Sequence, residues 1–286
     1  MNTWRTPGSI IKDAAKSGII IGGFNVFSVD DAIEVVRAAE EINTPVMLMV
    51  NKVGISYMPV EIWASVLRPI AKRASIPVIV HLDHTTDMDV IRRACKSGFD
   101  SVMFDGSQFS LEENICQTRI AAQIAHASGV LLEAEIGAVG YSDGAAGLDY
   151  VAAMTDPEEA ARFEKESYVD WMAISIGNVH RMQQQAAAID FALLNKIESC
   201  TDVPLVIHGS TGITDEDMVK LRNTRVAKVN IGTALRMAFG NTLREEITSK
   251  PLVFDRIELF KEPLAALREA AKERLKILSA QDGQYQ

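Results

Sequence analysis

Short apolar runs alternate with longer stretches of helical periodicity along almost the whole chain. Eight runs read as strands, at 19–26, 46–50, 78–83, 101–105, 131–136, 171–176, 204–208 and 226–231. Most are continuously hydrophobic rather than alternating, which suits parallel strands covered on both faces. The intervening segments open on helix caps. Ser28 with Asp31, Ser110 with Glu113, and Thr214 with Asp217 have capping-box spacing, and Asp156-Pro157 reads as an N-cap followed by proline at the first helical position. Residues 8–17 read as a short leading helix, 111–127 as an amphipathic one, 256–280 as a long final helix, and 281–286 as a polar frayed tail. Eight such units of about thirty residues are what a (β/α)8 barrel requires. An open doubly wound sheet would show the same alternation, but no Gly-x-Gly-x-x-Gly follows the first strand. The expected fold is therefore a TIM barrel, with 1–286 as a single domain.

Polar residues then fall at the C-terminal ends of nearly all eight runs: Asn25, Asn51, Asp83-His84, Asp105, Glu135, His180, His208 and Asn230. In a barrel these ends converge on the active-site rim. The chain has five histidines. Four lie at or beside strand ends, and His126 sits in a helical pattern as a surface or packing residue. His84, His180 and His208, from three different units, suit a divalent metal such as Zn²⁺ with one position open for substrate. Asp105 and Glu135 are further ligands or groups that orient the imidazoles. The plainer reading is a polar mouth in which histidines merely bond to carboxylates, and recurrence at equivalent places in separate units weighs against it. Gly209-Ser210-Thr211-Gly212 after the seventh run and Asn230-Ile-Gly232-Thr233 after the eighth occupy the place where barrels build phosphate sites.

Composition narrows the function classes. The chain has 286 residues, 48% hydrophobic and 23% charged, with a net charge of −9. No basic cluster points to nucleic acid or an anionic membrane surface, and no apolar run is long enough to span a bilayer. Three scattered cysteines and the absence of a signal-peptide layout fit a cytoplasmic protein.

Taken together, Phe24-Asn25-Val26, His81-Leu82-Asp83-His84, Met103-Phe-Asp105-Gly-Ser107, Glu133-Ala-Glu135-Ile-Gly137, Ile176-Gly-Asn-Val-His180, His208-Gly209 and Lys228-Val-Asn230-Ile-Gly-Thr233 resemble the class II, metal-dependent ketose-bisphosphate aldolases. The resemblance covers nearly the whole chain. It implies His84, His180 and His208 as zinc ligands, with Asp105 and Glu135 near an alternative metal position. It implies Asp83 as the acid/base on the aldehyde side. Gly209, Thr211, Asn230 and Thr233 would hold dihydroxyacetone phosphate, with Asn25, Asn51 and Gly232 beside them at the mouth. Arg256 would reach a neighbouring subunit's second phosphate. It further implies a monovalent cation near the phosphate, a phosphorylated ketose as substrate, and a homodimer or homotetramer.

Four positions depart from the family pattern. The family's enolising base is a Glu after the fifth strand; the matching position here is Asp143, one methylene shorter, and a simple turn residue is the plainer reading there. Arg181 follows the sixth-unit histidine where the family usually has Gly; its fork suits phosphate, carboxylate or sulfonate, and a solvated surface arginine is the plainer reading. Thr85 follows His84, and Asn51 replaces a usual Ser. All fall at the mouth, which points to the same chemistry on a changed substrate. A metal-assisted isomerase or epimerase, or a non-catalytic sugar-phosphate-binding barrel, is the competing reading. A Schiff-base route would need a buried lysine; Lys228 is the only lysine in the eight runs and shares a face with Asn230, so that route stays open here.

Overall fold

Parallel strands β1 (Ile21–Asn25), β2 (Val46–Val50), β3 (Val78–Thr85), β4 (Ser101–Phe104), β5 (Leu131–Ile136), β7 (Trp171–Ile174), β9 (Leu205–Ile207) and β10 (Val226–Ile231) pair in that order and close when β10 pairs with β1. A two-residue ribbon of β6 (Gly140–Tyr141) and β8 (Val179–His180) stands apart from this barrel. The computed structural model describes residues 6–142 and 151–279. Expected residue Asp143 and the tail 281–286 lie outside them.

The helices are α1 (Pro7–Ser17), α2 (Val29–Glu41), α3 (Lys52–Tyr57), α4 (Val60–Arg73), α5 (Met88–Ser97), α6 (Leu111–His126), α7 (Pro157–Ser167), α8 (Phe191–Cys200), α9 (Asp215–Leu221), α10 (Thr233–Ser249) and α11 (Arg256–Ser279). The expected caps form: Ser28, Ser110 and Thr214 each accept the backbone N–H three residues on, and Asp156 accepts from Glu158 and Glu159 ahead of Pro157. Each such cap is worth about 1 kcal/mol, which sets where the helix begins and therefore where the preceding strand must end.

Two apolar cores result. The outer one fills the space between strands and surrounding helices, including Phe24, Leu48, Trp63, Leu82, Phe104 and Leu275. The inner one plugs the barrel floor, where Ile10, Ile11 and Ala14 of α1 meet Ile21, Met47, Ile79 and Trp171. With the floor sealed, the mouth at the strand C-termini is the open end.

Several expected boundaries shift. β1, β4, β7 and β9 are shorter than expected; β1 and β9 also begin later, and Val26 and Ile176 just past β1 and β7 pack into the outer core. β3 runs on to Thr85 rather than stopping at Asp83, so His84 is a strand residue and not a loop residue.

Candidate metal centre and substrate cleft

β3 delivers two groups to the mouth by an irregularity. Between Leu82 and Thr85 its register with β4 shifts, and His84 takes φ = +47°, a left-handed conformation unusual for a residue with a Cβ. A bulge of this kind re-aims a side chain. The imidazole turns over the strand end, where its Nδ1 donates to Asp105 Oδ2 at 2.7 Å and Nε2 faces the cleft. His208, at the end of β9, lies with its ring 4.7 Å from that of His84, and His180 on β8 lies 5.5 Å from His84 and 5.8 Å from His208. One nitrogen from each of the three sits within 4.8 Å of the others.

The buried atoms of this donor set bear on whether it holds a metal. His208 Nδ1 and Glu135 Oε2 are both buried and lack a hydrogen-bond partner of good geometry, although only 3.2 Å separates them. Two buried acceptors, an imidazole lone pair and a carboxylate oxygen, facing one space are costly unless a cation satisfies them. Asp83, Asp105 and Glu135 also crowd negative charge around the same point. Burial alone would lower the His84 pKa, but Asp83, Asp105 and Glu135 outweigh it and push it up to about 10. His180 goes the other way: burial, then the neighbouring His84 and His208, hold it well below its usual value. The residues present fit a divalent metal, with Asp105 orienting His84 and a second possible grouping of His84, Asp105 and Glu135 beside the first.

Asp83 is buried and gripped from β1 and β10, neither of which is a neighbour of β3 in the barrel. Asn25 Nδ2 donates to its Oδ2 at 2.8 Å, and Asn230 Nδ2 to its Oδ1 at 3.0 Å. Burial would raise its pKa, but the charges of His84, Lys228 and His208 prevail and lower it, so it rests as a carboxylate. Asn25 thus serves Asp83 as well as lining the cleft, and Gly232 leaves room for it: a Cβ there would come 2.9 Å from Asn25 Oδ1.

The same cleft gathers Asn51, His180, Arg181, Gly209, Thr211, Asn230, Gly232 and Thr233 of the expected residues. Gly209 holds φ = +67°, and Ser210–Gly212 forms one turn of 3₁₀ helix behind it. Thr233 opens α10. Asn230 Oδ1 is buried without a hydrogen-bond partner. Asn51 proves to be chiefly a helix cap, its Oδ1 accepting from Val53 and Gly54 at 3.1 and 3.2 Å.

Arg256 is absent from this cleft. It lies at the start of α11, exposed, paired with Asp30 at 2.9 Å and stacked 4.8 Å from the Phe260 ring centroid. His126 is exposed and paired with Asp170, as expected. Lys228 is fully buried, bonded to Glu133 at 2.6 Å and not among the residues that line the cleft, which favours an interior role for it over that of a Schiff-base nucleophile.

Among the other residues lining the cleft are Tyr141, whose ring centroid lies 4.7 Å from that of His180, and Arg236, 5.6 Å from the Phe27 ring centroid. Arg236 follows Thr233 by three residues, so helical spacing alone placed both on one face. Tyr141 owes its place to the two-residue ribbon with His180, too short to leave a periodic signal.

The sequence profile of the family described as "Fructose-bisphosphate aldolase class-II" matches residues 6–283. The chain is 30% identical over 275 residues to a sulfofructosephosphate aldolase of Alkalicoccus urumqiensis, covering 96% of each. It is 31% identical over 296 residues to a fructose-bisphosphate aldolase of Helicobacter pylori, covering 95% of this chain and 96% of that one. The crystal structure of the YdjI aldolase from Escherichia coli K12 superposes with a TM-score of 0.83 at 30% identity, covering 98% of both chains. That of a putative fructose-1,6-bisphosphate aldolase from Coccidioides immitis gives 0.84 at 28% identity, covering 94% of both.

Proposed function

The chain belongs to the class II fructose-bisphosphate aldolase family, and from that premise we propose which residues carry the reaction and which ketose phosphate they take. It is a metal-dependent carbon–carbon lyase acting on a phosphorylated ketose. The observation that carries the assignment is the convergence of three imidazoles, from β3, β8 and the residue just after β9, beside a twice-bonded Asp83.

We assign Zn²⁺ to His84, His180 and His208, a ligand set that leaves an open position. When bound, the metal supplies Lewis-acid polarisation of the substrate carbonyl. Asp83 exchanges the proton of the aldehyde-side hydroxyl, with Asn25 and Asn230 fixing its two oxygens. Asp143 removes the proton next to the carbonyl. Gly209, Thr211 and Thr233 bind the phosphate of dihydroxyacetone phosphate through backbone and hydroxyl donors, with a monovalent cation alongside.

The far end of the substrate carries a second anion read by Arg181 together with Arg236. Two features support this. Arg181 lies on the cleft wall with φ = +59°, where glycine would be unstrained, and its guanidinium stacks 5.5 Å from the Tyr141 ring centroid. Strain of this kind is kept where the surrounding structure uses it. A phosphate or sulfonate suits both cations.

The catalytic unit spans 1–286 as one domain and works as a cytoplasmic homodimer or homotetramer in which Arg256 serves a second subunit. Leu252, Phe254 and Ile257, each at least 81% exposed beside Arg256, are the apolar surface such an assembly would cover. Among the described residues no helix is long and apolar enough to cross a membrane.

The test is dihydroxyacetone phosphate release from fructose and tagatose 1,6-bisphosphates, a sulfofructose phosphate and singly phosphorylated ketoses, with and without chelator. Chelator-sensitive release that favours doubly anionic ketoses is expected. Release indifferent to chelator, or strongest from singly phosphorylated ketoses, would refute the metal or the substrate assignment respectively.

A further inference from the structure

Directly beneath the cleft, the barrel interior carries charge at a level where barrels are ordinarily filled by branched apolar side chains. Lys228, Glu133, His81 and Ser101 have no solvent exposure, and Trp171 is almost fully buried. They form one connected network. Glu133 Oε2 accepts from Lys228 Nζ at 2.6 Å and from Trp171 Nε1, while Glu133 Oε1 lies 3.0 Å from His208 Nε2. Lys228 Nζ also lies 3.5 Å from His81 Nε2, and His81 Nδ1 lies 2.7 Å from Ser101 Oγ. Room for the lysine comes from Gly23 on the adjoining strand, where a Cβ would stand 3.1 Å from Lys228 Cε.

Stability does not account for this arrangement. Replacing a buried ion pair by apolar side chains of similar volume is often neutral or stabilising. What the pair does is mechanical. Lys228 and Trp171 together occupy one oxygen of Glu133 and fix the plane of its carboxylate. The other oxygen then accepts the Nε2–H of His208, which leaves Nδ1, 3.2 Å from Glu135 Oε2 but without a partner of good geometry, as the nitrogen free to serve the cluster with His84 and His180.

We propose that Lys228 and Glu133 are a positioning pair for the metal, holding His208 in the ring orientation and tautomer that present Nδ1 to the ion. The proposal rests on His208 being a ligand, which His208→Ala tests by itself. Neither Lys228 nor Glu133 touches substrate.

The experiment is zinc affinity of the full chain by chelator competition, with the visible absorption of the Co²⁺-loaded protein as a second readout. Lys228→Met alone leaves Glu133 buried without its cation, so folding is secured by pairing the changes. Lys228→Met/Glu133→Leu leaves no buried charge from the pair and removes the acceptor for His208. It should bind zinc about 10–100-fold more weakly and alter the Co²⁺ spectrum. Lys228→Met/Glu133→Gln keeps an oxygen for His208 and should recover most of that loss. A merely structural pair would shift thermal stability without this ordering. Wild-type zinc affinity and an unchanged spectrum in the Met/Leu variant would overturn the positioning role. Unchanged zinc binding in His208→Ala would overturn the ligand assignment, and the pair with it.

Discussion

Gly209→Ala isolates a single backbone position on which the metal centre depends. Gly209 sits at φ = +67° immediately after His208, and a Cβ there would stand 2.5 Å from the carbonyl carbon and oxygen of Val179 and 2.8 Å from the N of His180. These are backbone atoms and cannot rotate away. Restoring ordinary contact requires the Val179–His180 segment to move by about 0.9 Å, and a displacement near 1 Å at a reacting centre costs about 10²-fold in rate. The left-handed conformation itself costs alanine about 1–2 kcal/mol, which is a stability effect and not a catalytic one. Gly129→Ala separates the two, because Gly129 has φ = +70° with nothing within 4 Å of an added Cβ. Both variants should lose a few degrees of thermal stability, whereas kcat/KM should fall about 100-fold in Gly209→Ala and hardly at all in Gly129→Ala. The assay is coupled detection of dihydroxyacetone phosphate with zinc at saturation. Equal kcat/KM in the two variants would refute the claim that Gly209 is required to seat His180.

Two further outcomes follow from the site. In the metal-free protein His84 has its pKa raised from 6.5 to about 10, so metal uptake at pH 8 must displace a proton, and apparent zinc affinity should climb as pH rises toward 10. By the same sign, the protonated imidazole contributes stability to the metal-free fold that is fully present below about pH 6.5 and lost as pH rises through about 10. Calorimetry in buffers of different ionisation enthalpy would expose the proton, and a pH-independent zinc affinity would contradict it. Arg181→Gly relieves a left-handed arginine and should raise thermal stability slightly, by about 1 kcal/mol. It should also raise KM for doubly anionic ketoses while leaving singly phosphorylated ones little changed; equal effects on both would remove Arg181 from substrate recognition.

Much of this was legible because the signals are local. Unbroken apolar runs, caps such as Ser28, Ser110, Thr214 and Asp156, and polar residues recurring at strand ends each depend on a few neighbouring residues, and all reappear in the barrel. What escaped depends on partners far along the chain. The bulge at His84 arises from a register shift against β4, and β6 pairs with β8 across almost forty residues for only two positions. Face sharing correctly put Lys228 with Asn230, yet alternation says nothing about depth, and two residues lower in the barrel a lysine becomes part of the interior rather than a nucleophile. Asn51 looked like a mouth residue and is one, but its side-chain oxygen is spent on capping α3.

The most direct test of the account is Asp83→Asn, which keeps the volume and removes the group that handles the aldehyde-side proton. Two reactions would be measured on the zinc-loaded variant: cleavage of the ketose phosphate, and exchange of the dihydroxyacetone phosphate proton with solvent. Cleavage should fall by about 10²-fold or more while proton exchange and bound zinc remain. Cleavage at the wild-type rate, or both reactions failing together with zinc still bound, would contradict the division of labour proposed for this site.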